Sequence, residues 1–252
     1  MITVTLRFYE ELNDFLPAPN RKSLVVRTLT RPTSVKDLIE SCGVPHTEVD
    51  LILVNSESQG FHYLVADGDS ISIYPVFESF DISGSTRLQE RPLRHLHFVA
   101  DRHLGKLVRK LRVLGFDVAF DAQATHDDLI QRMLNENRVI LSTDRRLLMR
   151  KVVVRGYCIR SNDTGQQVLE VVRRFDLIDA IQLLSRCAAC NGLIKAVSKE
   201  SVEEYLEPRT RKYYSAFTQC VHCKKIYWQG SHTLELASFI EWLRKAVQQQ
   251  DR

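Results

Sequence analysis

Two apolar runs that each end in an aspartate decide the fold of this chain: HLHFVAD at residues 95–101 and RVILSTD at residues 138–144. A short continuous apolar run is typical of a parallel strand that is buried on both faces. Ligand sites of open α/β sheets lie just beyond the carboxyl ends of such strands. The two runs therefore predict strands that deliver Asp101 and Asp144 to one sheet edge, where carboxylates can hold a hard divalent cation.

The segment that follows Asp101 predicts an amphipathic helix. Its leucines and valines recur at the spacing of one helical face, and Gly115 occupies the position of a helix C-cap. An aspartate after a strand also serves as a helix N-cap, so the pattern alone leaves a structural role open. The opposite face is basic, which suits a substrate that carries phosphates. The basic residues of this face are Lys106, Arg109, Lys110 and Arg112.

Strands and helices alternate through residues 94–184, which predicts a parallel, doubly wound α/β sheet. A capping box of Thr125 and Asp128 predicts the start of one helix. The other expected elements are strands in GFDVAFD (115–121) and VVVRGYCI (152–159), and helices in RRLLMRK (145–151), GQQVLEVVRRF (165–175) and DLIDAIQLL (176–184).

Four of the six cysteines form two CxxC pairs, at residues 187–190 and 220–223. Each pair can present two thiolates from a tight turn, and two such turns complete a tetrahedral zinc site. Cys42 and Cys158 lie singly in apolar surroundings and are expected to be buried thiols. The polar segment 198–214 between the pairs is interpreted as an inserted excursion. We predict structural Zn²⁺ bound by Cys187, Cys190, Cys220 and Cys223.

Residues 1–80 follow a different pattern. Alternating apolar residues predict strands, and Ser34 predicts the N-cap of a short helix. The order of strand, strand, helix, strand, strand is that of a ubiquitin-like β-grasp domain. The polar stretch 81–93 is the expected linker. The net charge is −5 over residues 1–80 and +9 over the rest of the chain, which indicates a polyanionic partner for the rest.

These motifs, together with YWQGSH at 227–232, resemble the Mut-seven C-terminal RNase family, a group of PIN-like nucleases. The resemblance covers residues of about 96 to 235. It implies a PIN-like domain at 94–184 and a zinc ribbon with a C-terminal helix at 185–252. Some members carry a ubiquitin-related domain, as is expected at 1–80. That segment lacks the Gly-Gly terminus of sulfur carriers, so we expect it to stabilise the protein or to bind a protein partner.

The resemblance implies a ribonuclease in which clustered aspartates hold Mg²⁺ or Mn²⁺ and RNA phosphodiester bonds are hydrolysed. Asp101 and Asp144 are the expected direct ligands. The family carries a further acid, and Asp121, Asp127 and Asp128 all compete for that role. Acids at the start of a helix also have a capping explanation. The predicted catalytic set is Asp101, Asp128, Asp144 and Asp163.

Basic side chains beside this set are expected to contact RNA. Arg145 and Arg146 either contact a phosphate or form a solvated first helical turn, and the basic helix after Asp101 is expected to track the backbone. Tyr227 and Trp228 either stack on bases or belong to the core of the ribbon. The predicted substrate-binding residues are Lys106, Arg109, Lys110, Arg145 and Arg146.

Composition sets the remaining limits. The chain has 252 residues, of which 44% are hydrophobic and 26% charged, as in ordinary globular proteins. We expect no membrane partner and a cytoplasmic location, because no apolar run approaches the length of a span and no leader opens the chain. Two alternatives stay open: a non-catalytic RNA-binding adaptor, whose binding is indifferent to metal, and a phosphatase, which turns over small phosphate esters.

Overall fold

The computed structural model describes residues 1–75, 96–228 and 230–249, without the side chains of 231–234. The linker predicted at 81–93 lies outside the described residues. Contacts divide the chain into two compact units. The first unit comprises Met1–His95 and Thr125–Cys158, and the second comprises Leu96–Ala124 and Ile159–Arg252. The domain boundaries predicted from the sequence, at 1–80, 81–93, 94–184 and 185–252, stay a prediction.

The strands, in chain order, are β1 (Ile2–Phe8), β2 (Val25–Leu29), β3 (Val49–Val54), β4 (Glu57–Ser58), β5 (Ser70–Pro75), β6 (His97–Ala100), β7 (Asp117–Phe120), β8 (Val139–Ser142), β9 (Gly156–Cys158), β10 (Ile194–Val197), β11 (Phe217–Cys220) and β12 (Ile226–Trp228). The α-helices are α1 (Val35–Ser41), α2 (Gly105–Val113), α3 (His126–Glu136), α4 (Arg145–Leu148), α5 (Thr164–Arg174), α6 (Pro208–Tyr213) and α7 (Ser231–Gln248).

The N-terminal part of the first unit is a ubiquitin-like β-grasp. Its five-stranded sheet has the order β2-β1-β5-β3-β4, in which β1 runs parallel to β5 and antiparallel to β2. The hydroxyl of Ser34 accepts a hydrogen bond from the Asp37 N–H and caps α1, as its position predicts. The two-residue strand β4 is too short to give a periodic signal in the sequence. The predicted fold of this region is confirmed.

The rest of the first unit consists of α3, β8, α4 and β9. Strands β8 and β9 are parallel, and every residue of β8 is buried. Helix α3 begins at the predicted capping box: the Thr125 hydroxyl accepts from the Asp128 N–H, and the Asp128 carboxylate accepts from the Thr125 N–H. Leu129, Ile130 and Met133 form its buried face.

The second unit contains a parallel pair of its own, β6 and β7, and the basic helix α2. Gly115 follows α2 with φ of +101°, and a Cβ there would lie 2.4 Å from the Gln182 carbonyl oxygen, so only glycine fits. Arg112 does not belong to the exposed basic face, contrary to the sequence-based expectation. It is buried because its guanidinium donates to the carbonyl oxygens of Val118 (2.9 Å) and Ala189 (2.8 Å).

Helix α5 is confirmed, but the helix predicted at 176–184 is wrong. Only a single 3-10 turn, Ile178–Ala180, forms there. Asp176 adopts a left-handed φ of +48°, which ends the preceding helix. The N–H groups of Gln182 and Leu184 donate to the carbonyl oxygens of Leu114 (2.9 Å) and Val113 (2.8 Å) instead of to a helical turn.

The C-terminal part of the second unit is a three-stranded antiparallel sheet of order β10-β11-β12, followed by α7. The polar segment between β10 and β11 contains regular structure. It carries α6, and Val202 and Leu206 pack with Phe217 in a small core of their own. These two apolar residues anchor an otherwise polar insertion on the sheet.

Candidate functional site

The four cysteines of the two CxxC pairs come together in the second unit. Their sulfur atoms all lie within 4.8 Å of one another. The Sγ atoms of Cys187 and Cys223 are 3.5 Å apart, and those of Cys190 and Cys220 are 3.4 Å apart. A zinc ion with Zn–S bonds of about 2.3 Å needs tetrahedral sulfur separations of about 3.8 Å. The cluster therefore fits a tetrahedral metal such as zinc, and four thiolates leave no coordination position for a reacting water.

The first CxxC turn is fixed to strand β7. Asn191, with a left-handed φ of +68°, donates through Nδ2 to the Asp117 carboxylate (2.8 Å) and accepts from the Val118 N–H (3.2 Å). Arg186 forms an ion pair with the other oxygen of Asp117 at 3.0 Å. A Cβ at Gly192 would lie 3.0 Å from the Cys220 sulfur, so a larger residue there would press on the cysteine cluster. These contacts hold the ribbon on the parallel strands of the same unit.

Hydrogen bonds prepare one cysteine as a thiolate. Burial raises the pKa of Cys187, but the hydroxyl of Tyr227, 3.0 Å from its sulfur, and the N–H groups of Cys190 and Ala189 outweigh burial and lower this pKa to about 6. Burial and the Cys187 sulfur raise the pKa of Tyr227, so its hydroxyl stays protonated and donates. A deprotonated sulfur is the form that a metal binds.

Asp101 and Asp144 each begin the first helical turn after a parallel strand. Asp101 directly follows β6, is 4% exposed, and accepts through Oδ1 from the His103 N–H (3.3 Å). Asp144 follows β8 and accepts through Oδ1 from the Arg146 N–H (2.8 Å). Both are thus N-caps at the carboxyl ends of parallel strands. Asp101 belongs to the second unit and Asp144 to the first, and their assembly into one cluster stays a prediction.

His126 is a residue that the sequence did not single out. Its Nε2 atom lies 3.6 Å from Oδ2 of Asp144, within the first unit. Because His126 is the first residue of α3, this contact brings the first turn of α3 next to Asp144. A histidine placed directly after the capping residue Thr125 gives no signal of its own in the sequence.

The other candidate acids have distinct environments. Asp128 uses Oδ2 in the capping box of α3, where it accepts from the Thr125 N–H and hydroxyl. Asp127 forms a hydrogen-bonded ion pair with Arg150 at 2.7 Å. Asp121, in the second unit, accepts from the Gln123 N–H at 2.9 Å. Asp163, also in the second unit, caps α5 through the Gln166 N–H at 2.9 Å.

The predicted RNA-binding residues fall into two groups. Lys106 and Arg109 are exposed on α2, and Lys110 is half-buried with its Nζ 4.5 Å from the ring centre of Phe239. Arg145 and Arg146 are exposed on α4 in the first unit. Arg145 donates to the Phe15 carbonyl oxygen (3.1 Å) and lies over the Phe15 ring, so it is held by the ubiquitin-like region.

The second unit also contains a groove of about 990 Å³, which we name the basic–aromatic groove. Its walls are α2, α6 and β12. Trp228, for which stacking and core positions were both open, is 40% exposed here, and Tyr213 is 70% exposed. Sequence reasoning missed the contribution of α6, although three basic residues followed by two tyrosines in RTRKYY (209–214) were a usable signal. The groove's charged lining residues and two of its aromatic ones are Lys106, Arg109, Lys110, Arg209, Tyr213, Lys225, Trp228 and Glu235.

These features define a mixed α/β protein with an N-terminal ubiquitin-like region, central parallel strands and a C-terminal cysteine cluster. The family model of the Mut7-C RNAse domain matches residues 96–240, and that of Mut7-C ubiquitin matches residues 1–81. The chain belongs to the Mut7-C RNase family, and the resemblance is confirmed. No curated protein and no solved structure matches the chain. Within the described ranges, no helix has the length and apolar character needed to cross a membrane.

Proposed function

We propose that the protein is a metal-dependent, PIN-like ribonuclease that hydrolyses RNA phosphodiester bonds. One observation carries the proposal: in a chain of the Mut7-C RNase family, Asp101 and Asp144 each cap the first turn beyond a parallel strand. The carboxyl ends of parallel strands are where ligand sites of such sheets form.

The chemistry of the donors suits Mg²⁺ or Mn²⁺, because carboxylate oxygens are the ligands that hard cations prefer. When bound, such an ion activates water and offsets charge on the scissile phosphate. The chain's own residues orient the carboxylates. The cap bonds from the His103 and Arg146 N–H groups each engage Oδ1 of their aspartate, which restricts the rotation of the carboxylate. Asp128 and Asp163 are proposed as the further acids.

RNA is the proposed substrate and partner. Lys106, Arg109 and Lys110 on α2, with Arg146 on α4, offer positive charge for its phosphates. Zn²⁺ at the four cysteines is proposed to be structural, because the tetrahedral set is complete. The ubiquitin-like region is proposed to bind a protein partner. Two buried single thiols and four paired cysteines favour a reducing compartment, so we propose the cytoplasm.

The test is cleavage of a single-stranded and a hairpin RNA with and without Mg²⁺ or Mn²⁺, for the full chain and for Asp101→Asn. Asparagine caps a helix as well as aspartate does, so the variant should fold and bind RNA but lose cleavage. Asp37→Asn is the matched control, because Asp37 lies exposed in the first turn of α1, and it should cleave normally.

The outcomes separate the candidate functions. Cleavage that needs the metal and Asp101 supports the ribonuclease. Binding that is indifferent to metal, without cleavage by the unchanged chain, identifies the adaptor. Turnover of p-nitrophenyl phosphate without RNA cleavage identifies the phosphatase. Full cleavage by Asp101→Asn overturns the proposed role of this acid.

A further inference from the structure

We propose that the basic–aromatic groove binds single-stranded RNA, with phosphates along α2 and bases stacked on Tyr213 of α6 and Trp228 of β12. This inference deepens the proposed function and rests on RNA as the substrate. It adds two structural elements, the inserted segment and the ribbon, to the substrate-binding surface.

Charge complementarity points to a polyanion. Among the residues that the structure describes, five basic side chains line the groove against one acidic side chain, Glu235. The basic residues come from three separate parts of the second unit: α2, α6 and the residue before β12. Neutralising phosphates releases counterions and provides affinity without sequence preference. The basic lining residues are Lys106, Arg109, Lys110, Arg209 and Lys225.

The exposed rings favour a single strand over a duplex. Tyr213 is 70% exposed and Trp228 is 40% exposed, although isolated large aromatic residues gain free energy by burial. A base stacks on such a ring only when it has left its own base stack, which is easy in a single strand. The Trp228 ring is supported from one side by Tyr214, with ring centres 6.3 Å apart, so one aromatic neighbour restricts it.

A second groove on the ribbon provides an internal comparison. It has a volume of about 760 Å³, shares Trp228, and is lined by Tyr205, which is 76% exposed. Its charged lining is one lysine, Lys224, against one glutamate, Glu207. Both grooves therefore offer Trp228 and an exposed tyrosine, but only the basic–aromatic groove carries excess positive charge. Because RNA is a polyanion, we assign it to the basic–aromatic groove, on the Tyr213 side of Trp228.

The experiment measures binding of a short fluorescent single-stranded RNA by the full chain, without Mg²⁺ or Mn²⁺, so that cleavage plays no part. Tyr213→Ala and Trp228→Ala should each weaken binding by about 5- to 150-fold, the range for loss of one base–aromatic stack. Trp228→Phe keeps a stacking ring and should bind nearly as the unchanged chain does. Tyr205→Ala is the matched control and should leave affinity unchanged. Lys106→Ala should lower the slope of affinity against salt by about one.

Thermal unfolding and metal content of each variant establish that it folds. Tyr213 is so exposed that its replacement keeps the test valid even if Trp228→Ala fails to fold. The inference is overturned if Tyr213→Ala binds like the unchanged chain, if Tyr205→Ala weakens binding equally, or if a duplex competes as well as the single strand. If metal-dependent cleavage persists beside any of these results, the proposed ribonuclease function still holds and only the groove proposal fails. If the groove binds RNA as expected but the chain does not cleave it, only the ribonuclease function fails.

Discussion

The buried carboxylate of Glu48 accepts a hydrogen bond from the backbone N–H of Cys158, at 2.7 Å and across 110 residues of sequence. Cys158 is the last residue of β9, so the bond joins the ubiquitin-like region to a parallel strand of the first unit. A second bond runs beside it: Nε2 of His46 lies 2.8 Å from the Val153 carbonyl oxygen. A carbonyl oxygen only accepts, so His46 is the donor.

The first prediction concerns Glu48. Glu48→Ala leaves the buried Cys158 N–H without this acceptor, which should cost about 1–3 kcal/mol of the free energy of unfolding. Glu48→Gln keeps an acceptor oxygen and should cost less. Urea unfolding measures both variants, with the exposed Glu57→Ala as the control that should change little. Equal stability of Glu48→Ala and the unchanged chain would show that the bond contributes nothing.

Much of the fold could be predicted because its signals are local. Buried apolar runs gave the parallel strands, and Thr125 with Asp128 gave the start of α3 through chemistry contained in one turn. The CxxC pairs gave the cysteine cluster, since two tight turns suffice to present four sulfur atoms.

The features that escaped prediction depend on distant partners. Arg112 is buried because carbonyl groups of β7 and of the first CxxC turn accept from it, and nothing in its own helix indicates this. Residues 176–184 have a helical apolar pattern, yet the N–H groups of Gln182 and Leu184 pair with the end of α2. The contact of His126 with Asp144 likewise joins residues that are 18 positions apart in the chain. The local sequence pattern predicts structure poorly wherever contacts with distant residues determine the conformation.

The second prediction concerns zinc. Cys220→Ser should release the metal and lower the melting temperature, because a structural zinc site contributes directly to folding. Metal analysis and thermal unfolding check this. Cys42→Ser is the matched control, because Cys42 is a buried single thiol of the ubiquitin-like region. This variant should keep the zinc at the four paired cysteines. The structural role fails if zinc is lost while the second unit unfolds at its original temperature.

The third prediction concerns the hydroxyl beside the cluster. Tyr227→Phe removes the donor that lies 3.0 Å from the Cys187 sulfur but keeps the ring. Partners that orient metal ligands typically contribute 10- to 100-fold to metal affinity, so we expect a loss of about that size. Competition with a chromophoric chelator measures it. Tyr205 lies elsewhere on the ribbon, so Tyr205→Phe should retain full metal affinity. An equal loss of metal affinity in Tyr205→Phe would contradict the role given to the Tyr227 hydroxyl.

The fourth prediction is a pH dependence of α3. Hydrogen bonds from the Thr125 hydroxyl and N–H lower the pKa of Asp128 from its usual value of 3.8. A lowered carboxyl pKa stabilises the fold above the usual value, and this stabilisation is lost as pH falls through the folded pKa. The protection of amides at the N-terminus of α3 against exchange, corrected for the intrinsic exchange rate at each pH, should therefore decrease below a pH of about 4. Asp128→Asn should remove this pH dependence, and a persistent dependence would assign it to another group.

The last prediction chooses among the competing acids. The His126–Asp144 contact brings the first turn of α3 next to Asp144, so we expect the further acid to come from that turn. The Asp127 carboxylate is engaged in an ion pair with Arg150, at 2.7 Å. The Asp128 carboxylate stays ionised because its capping hydrogen bonds lower its pKa. We therefore expect Asp128→Asn to lower the rate of metal-dependent RNA cleavage at least about 10-fold, the scale of a lost metal-orienting partner, and Asp127→Asn to change it little.

Because Asp128 also caps α3, a control must separate the two roles. Thr125→Ala removes the hydroxyl of the capping box but leaves the carboxylate, so it should destabilise α3 while most cleavage remains. Equal losses of cleavage in Thr125→Ala and Asp128→Asn would mean that Asp128 supports cleavage only by capping α3. A larger loss in Asp121→Asn than in Asp128→Asn would move the role of the further acid to Asp121, at the end of β7 in the second unit.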